Sequence, residues 1–371
     1  MSTVPRLRVG VVGCGLVAQV MHLHYLRELS ERFEVTALCD LSPAALHFAS
    51  RLHPAAQTFE RWEDLLADPP DVVMVLVPGS HAPVAVAAAQ AGAHVFVEKP
   101  MCLSEAEGRE MITAAEHASV RLMVGYMKRY DPAYEELERT LDRAAVRFAR
   151  ITTLESPLEP YVAHYPLGRG GIDPVLAAQH AEDDARRVTV AVGDLGPLVQ
   201  QAYRTSILDS MIHELNAVRG LLGEPDELLF SDVWGDPTGI TATLRFGDTE
   251  AVFTWVDLPG IARYEQELAF YGPDSRAVLT FPSPFLRSAP TRLVLEGGEP
   301  ETPASWRTEH VAAYDEAFKR ELVELHACIT EGRDSRTPGS DALRDVALAG
   351  AIARSADDGR PRSRPADPEP A

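Results

Sequence analysis

The run Leu7–Val12 (LRVGVV) is short and Val-rich, and it ends on Gly13-Cys14-Gly15-Leu16-Val17-Ala18, after which an apolar helical stretch begins. This is G-x-G-x-x-A in strand–turn–helix order. It commits a chain to a parallel α/β sheet with a ligand beyond the strand ends. Gly13 permits the tight turn, Gly15 lets the backbone approach a pyrophosphate, and the small Ala18 lets helix pack on strand. Leu16 and Val17 open the helix, whose N-terminus faces the phosphates. The next apolar run, residues 35–39, ends at Asp40, 22 residues past Ala18. A carboxylate there accepts hydrogen bonds from the adenosine ribose and repels a 2′-phosphate, so NAD is expected and NADP disfavoured.

The alternation continues in the same style. A helix starts near Pro43 and a short one covers 62–67. A strand spans 72–77, followed by the loop 78–81, an Ala-rich helix over 83–91 and a strand at 94–97. A helix over 104–118 opens with the capping box Ser104/Glu107, and a strand follows at 122–124. Residues 1–127 therefore read as a doubly wound, NAD-binding Rossmann domain. Residues 128–337 read differently, as an α+β domain. A helix at 133–142 precedes strands at 146–153, 241–245, 251–256, 266–271, 276–280 and 292–295. Several alternate apolar and polar residues, as a large, mostly antiparallel sheet with one wet face requires. A helix at 207–222 interrupts them, its end marked by Gly223 and Pro225, and a long helix covers 314–331. The segment 338–357 is expected to pack back on the first domain as an Ala-rich helix, and 358–371, Pro- and charge-rich, to be disordered. Within the second domain, 157–204 is an insertion with a Gly-rich turn (168–171), an acidic run (182–184) and a candidate strand (188–192). Its length points to a lid on the active site or an oligomer arm.

Composition matters first at one residue type. Of 35 basic residues only three are lysine: Lys99, Lys128 and Lys319. Lys99 directly follows the strand at 94–97, where ligands of open parallel sheets bind. Arginine stays charged at any working pH, whereas burial or a nearby cation lowers a lysine pKa, so a lysine retained here suits proton chemistry. A second candidate is the pair Asp209 and His213, spaced i and i+4, one turn apart on one helical face. A carboxylate beside histidine can orient the imidazole, which can then take a proton from a hydroxyl. Glu214 falls on another face.

The net charge of −20 argues against a nucleic-acid or anionic-membrane partner. The four cysteines (Cys14, Cys39, Cys102, Cys328) have neither disulfide-framework nor zinc spacing, and no metal-ligand pattern occurs. No apolar run approaches the ~20 residues of a membrane span, and no signal peptide is evident, so a cytoplasmic location is expected.

The Gly loop, Asp40, the stretch 93–100 ending Glu98-Lys99-Pro100, the stretch 125–132 (GYMKRYDP) and the Asp209/His213 helix occur in the order seen in the Gfo/Idh/MocA oxidoreductase family, which the chain resembles from about residue 6 to 357. The resemblance implies an NAD(P)-dependent enzyme acting on CH–OH groups of a sugar, cyclitol or aminocyclitol. Lys99, Asp209 and His213 match its catalytic set. Pro78, His81 and Glu98 match positions lining the nicotinamide or its ribose. Tyr126, Met127 and Lys128 fall in the segment that faces substrate. It also implies a homo-oligomer, dimer or tetramer. The chain departs from the pattern in three places. Arg204-Thr205-Ser206 stand where a Gly pair usually precedes the catalytic Asp, Asn216 replaces an Asp, and the insertion is long. Two other readings compete. One is a ketoreductase of a nucleotide-linked keto-sugar in antibiotic-sugar biosynthesis, for which Arg169, Arg186 and Arg187 could supply the diphosphate site. The other is a cofactor-binding regulator without turnover.

Overall fold

The computed structural model describes residues 5–235, 238–299 and 301–357. The expected disordered tail, 358–371, lies outside the described residues. Six parallel strands make the first sheet: β1 (Leu7–Val12), β2 (Phe33–Cys39), β3 (Gln57–Phe59), β4 (Val72–Val75), β5 (His94–Glu98) and β6 (Leu122–Gly125), in the order β3-β2-β1-β4-β5-β6. The order reverses between β1 and β4, which opens a crevice beyond their carboxyl ends. Valine runs form these central strands because both faces are covered: Val9, Val11, Val72, Val73, Val75 and Val97 are fully buried. The covering helices are α1 (Leu23–Glu28), continuous with a π-wound turn Ala18–His22, then α2 (Pro43–Leu52), α3 (Trp62–Leu65), α4 (Ala82–Gln90) and α5 (Glu105–Ala118). The capping box on α5 is formed as the sequence predicts.

After a 3₁₀ turn (Met127–Tyr130) come α6 (Pro132–Thr140) and β7 (Phe148–Glu155). The insertion follows as α7 (Glu159–Val162), α8 (Pro174–Val192) and α9 (Pro197–Ala202). A π-wound stretch, Tyr203–Met211, leads into α10 (Ile212–Leu222). The remaining strands are β8 (Glu227–Trp234), β9 (Gly239–Phe246), β10 (Thr249–Asp257), β11 (Glu265–Tyr271), β12 (Ser275–Phe281), β13 (Arg292–Gly298) and β14 (Ser305–Val311), followed by α11 (Ala317–Glu331) and α12 (Gly339–Asp357). The second sheet runs β14-β13-β12-β11-β7-β10-β9-β8, antiparallel except for the β7–β10 pair. Ala149, Ile151, Ala251, Phe253, Ala242, Leu244 and Leu268 point to its buried face, in the same core as Ile212 and Leu215 of α10. That sheet face and the crevice of the first sheet bound the site.

Two expectations change, and two strands are not expected from the sequence at all. The candidate strand 188–192 is the end of α8. Asp173 caps that helix by accepting from the N–H groups of Val175 and Leu176, Pro174 sits in its first turn, and Val188 and Val192 bury one face. The helix expected over 314–331 starts at Ala317, because Glu316 is extended. Strand β8 escapes the pattern because a register shift between Leu228 and Phe230 breaks its alternation and leaves Phe230 exposed. Strand β14 (SWRTEHV) is a polar, exposed edge with no apolar face to read. Helix α12 packs on both α5 and β8. Among the described residues no helix is long and apolar enough to cross a membrane.

Candidate active site

Gly13 takes φ +95°, and a Cβ on it would lie 2.7 Å from the Leu76 carbonyl carbon, so only glycine fits. Gly15 is exposed, and a Cβ there would meet nothing. The space a pyrophosphate needs beside half-buried Leu16 and Val17 is therefore open, and the loop fits a dinucleotide. Asp40 ends β2 with its carboxylate facing this loop. It accepts from the N–H of Cys14 and from that of Ser42, both at 2.6 Å. It tethers the Gly loop and remains half-exposed at the crevice rim.

Across the crevice, Pro78 is exposed in the β4–α4 loop. His81 is buried, its Nε2 2.8 Å from the Val77 carbonyl, and burial lowers its pKa. Glu98 is turned inward instead of lining the opening. Its Oε1 pairs with Nε2 of the fully buried His22 at 2.6 Å, and its Oε2 accepts from the N–H of Lys99 at 3.1 Å. The His22 ring stands edge-on to Phe96 and Phe318, which fixes it. His22 carried no sequence signal, because its partner lies 76 residues away.

Lys99 opens a cis Lys99–Pro100 bond at the end of β5. Its Nζ donates to the backbone carbonyl of Asp209 and lies 3.2 Å from Asp209 Oδ1. Asp209 and His213 do share a helix, but no hydrogen bond joins them among the described residues. The expected Asp–His pair is thus replaced by an Asp–Lys pair. The stretch carrying Asp209 is π-wound, and a charged ammonium is a stronger partner for the carboxylate than a neutral imidazole. His213 Nδ1 is buried without a partner, and its ring stands edge-on to Tyr126 at 6.1 Å. Burial, then the charges of Lys128 and Lys99, hold its pKa well below the usual range, so the ring is neutral at neutral pH. Lys128 is buried, 3.5 Å from the Tyr264 hydroxyl and 5.5 Å from the centre of the Phe281 ring. Burial pushes its pKa down to about 8. Met127 and Tyr126 are buried beside it, the Tyr126 hydroxyl also without a partner.

The sequence missed the floor of this site. Thr153 of β7 and Gln266 of β11 both donate to Glu214 Oε1, while Glu214 Oε2 is buried and unpartnered. Glu155, at the end of β7, accepts from Ser210 at 3.1 Å, and Trp255 Nε1 donates to the same hydroxyl at 2.9 Å. Burial raises the Glu155 pKa. The only signal for Glu214 was its place next to His213. The face it occupies is the one that meets the sheet.

Asn216, one turn on from His213, donates to Asp345 at 2.7 Å and to Asp341 at 3.1 Å, both on α12. An Asp at 216 would face two carboxylates, so the amide follows from these acids. Among the described residues no group of three His, Cys, Asp or Glu could hold a metal. Arg169 pairs with Glu159, Arg186 with Asp183, and Arg187 with Asp183 and Glu107, so these arginines are already engaged by carboxylates.

The Gfo/Idh/MocA family model, described as an oxidoreductase family with an NAD-binding Rossmann fold, matches residues 7–126. An inositol 2-dehydrogenase from Ralstonia nicotianae is 30% identical over 59% of this chain and 55% of its own length. The chain thus spans about half the length of that relative, and less of other inositol dehydrogenases it matches. A D-apiose dehydrogenase from Paraburkholderia graminis is 27% identical over 97% of this chain and 90% of its own. A levoglucosan dehydrogenase solved with NADH and levoglucosan shares the fold, with a TM-score of 0.73 at 16% identity over 95% of this chain and 98% of that one.

Proposed function

We propose that the chain, whose residues 7–126 match the Gfo/Idh/MocA oxidoreductase family model, is an NAD-dependent dehydrogenase oxidising a secondary ring hydroxyl of a sugar, cyclitol or aminocyclitol. One observation carries the reading: Lys99, at the end of β5, holds Asp209 one turn before His213, whose ring is neutral and whose buried Nδ1 has no partner. A dinucleotide held by the Gly loop would supply the nicotinamide as hydride acceptor. His213, uncharged, takes the hydroxyl proton as the carbon gives up its hydride. Lys99 donates a hydrogen bond to the same oxygen and stabilises its developing negative charge. Asp209 orients the Lys99 ammonium. Lys128, Tyr126, Glu155 and Glu214 offer donors and acceptors for the remaining ring hydroxyls. The names of the relatives, which oxidise inositol and apiose, support a polyhydroxylated substrate. Arg169, Arg186 and Arg187 are each already paired with carboxylates, which favours an unphosphorylated ring over a nucleotide diphosphate. The test is NADH production over inositols, free sugars, aminocyclitols and nucleotide sugars. Turnover confined to nucleotide sugars would overturn the substrate class. Cofactor binding without turnover on any of them would favour a regulator.

Cofactor choice has its own test. Asp40→Ala should weaken NAD binding about tenfold and NADP binding less, or even strengthen it, because the carboxylate both accepts from the ribose and repels a 2′-phosphate. Parallel fluorescence titrations with NADH and NADPH measure this, and equal losses would remove Asp40 from the ribose.

The pH profile follows from the His213 environment. The neutral ring is the active base, and protonation on acidification removes it. With the pKa depressed, kcat/KM for oxidation should stay level as pH falls to 6.5 and decline only below that value. An acid limb centred above pH 6.5 would mean that another group is the base.

A further inference from the structure

The insertion lies across the cofactor crevice from one rim to the other. On the β2 rim, the N–H of Gly168 donates to Gln19 Oε1 at 2.8 Å and Gln19 Nε2 donates to the Gly168 carbonyl at 3.2 Å. Ser42, beside Asp40, donates to the Gly170 carbonyl at 3.1 Å. The contact is close enough to require glycine. A Cβ on Gly168 would lie 2.5 Å from the Ala44 carbonyl oxygen, and one on Gly170 2.7 Å from the Ala44 Cβ. On the far rim, α8 sets Asp184 against Gly79, where a Cβ would lie 2.6 Å from Asp184 Oδ2, and the Asp184 carboxylate takes a backbone hydrogen bond from Ser80. Ser80 Oγ and Arg187 of α8 share Glu107 Oε1. At the base of the strap, Tyr165 donates to the Phe285 carbonyl at 2.9 Å and carries Arg287 4.7 Å over its ring.

Between these rims the space over Gly15 is open. The strap meets both rims and leaves the Gly15 backbone exposed and uncovered. We propose that residues 165–187 form a clasp that encloses the dinucleotide bound on the Gly loop, so that cofactor exchange requires the clasp to lift. The inference rests on the cofactor reading above. It makes Gln19, Ser42, Gly168, Gly170 and Asp184 positioning residues for the cofactor. The Ser42 and Gly170 contact falls at the adenosine end, next to Asp40, and the Asp184 and Ser80 contact at the β4 end. A dinucleotide laid across the switch point passes beneath both. The glycines admit the close approach, and two rows of hydrogen bonds hold the strap down.

The test uses the full chain and NADH. Stopped-flow displacement of NADH by excess NAD⁺ reads the release rate in the parent, in Gly170→Val and in Asp184→Ala. Asp184 is half-buried and lies outside the hydrophobic cores, so its variant leaves them intact. Each variant should release NADH about tenfold faster, the effect of losing one set of well-placed contacts. Amide exchange at Gly168 should slow when NADH binds the parent. Release rates within twofold of the parent in both variants, with NADH still bound, would overturn the clasp and leave the cofactor reading intact. A parent chain that binds neither NADH nor NADPH would overturn the cofactor reading, and the clasp with it.

Discussion

Replacing Lys99 by alanine is expected to lower kcat about 10³-fold while NADH affinity stays within about twofold. The Lys99 ammonium stands at the end of β5, anchored by Asp209 and away from the Gly loop that holds the pyrophosphate. Its removal takes away the donor to the reacting oxygen but none of the groups assigned to the cofactor. His213→Ala should lose a similar factor, because the hydroxyl proton then has no acceptor of matched pKa. The two act on one oxygen, so the double variant should be little worse than either single one. Asp209→Asn should cost less, since the Asp209 side chain is 69% exposed and the Lys99 amine keeps the Asp209 backbone carbonyl as an acceptor. Steady-state kinetics with a fluorescence titration separate these effects. Normal turnover in both alanine variants would place the chemistry elsewhere.

The first sheet is legible in the sequence because its signals are local. Unbroken valine runs, a Gly loop and a capping box each depend on residues a few positions apart. Lys99 is legible for the same reason, as the residue just past a buried strand. What escapes is set by distant partners. Glu98 turns inward because His22 waits there, and Asp209 turns from His213 because Lys99, 110 residues away, offers a charge. Glu214 is unreadable as a site residue until β7 and β11 bring Thr153 and Gln266 against it. The insertion misleads for another reason. Residues 188–192 are β-branched and strand-like, yet an Asp cap and a first-turn proline upstream wind them into α8. The departure at 216 becomes intelligible only once α12 supplies the acids that an Asp there would meet.

Those acids also set the largest expected stability effect. Arg219, three residues past Asn216 on α10, has a side chain only 2% exposed and pairs with Asp345, Asp341 and Glu224. Three carboxylates compensate one buried guanidinium and keep it charged, against the penalty of burial. Arg219→Ala strands the fully buried Asp345, which retains only the Asn216 amide. The expected loss is about 3–5 kcal/mol, a fall of roughly 4–6 °C in the thermal midpoint. The volume-matched pair Arg219→Met with Asp345→Leu should recover most of it, because a buried ion pair is costly to break but adds little over an apolar replacement. The same contacts hold α10 to α12, and α10 begins with the turn that carries His213. If the network also positions His213, the apolar pair should regain the thermal midpoint while kcat stays below the parent value. Recovery of both together would make the network a stabilising element alone. A loss below 1 kcal/mol in Arg219→Ala, read from thermal and urea melts, would mean that water reaches Asp345.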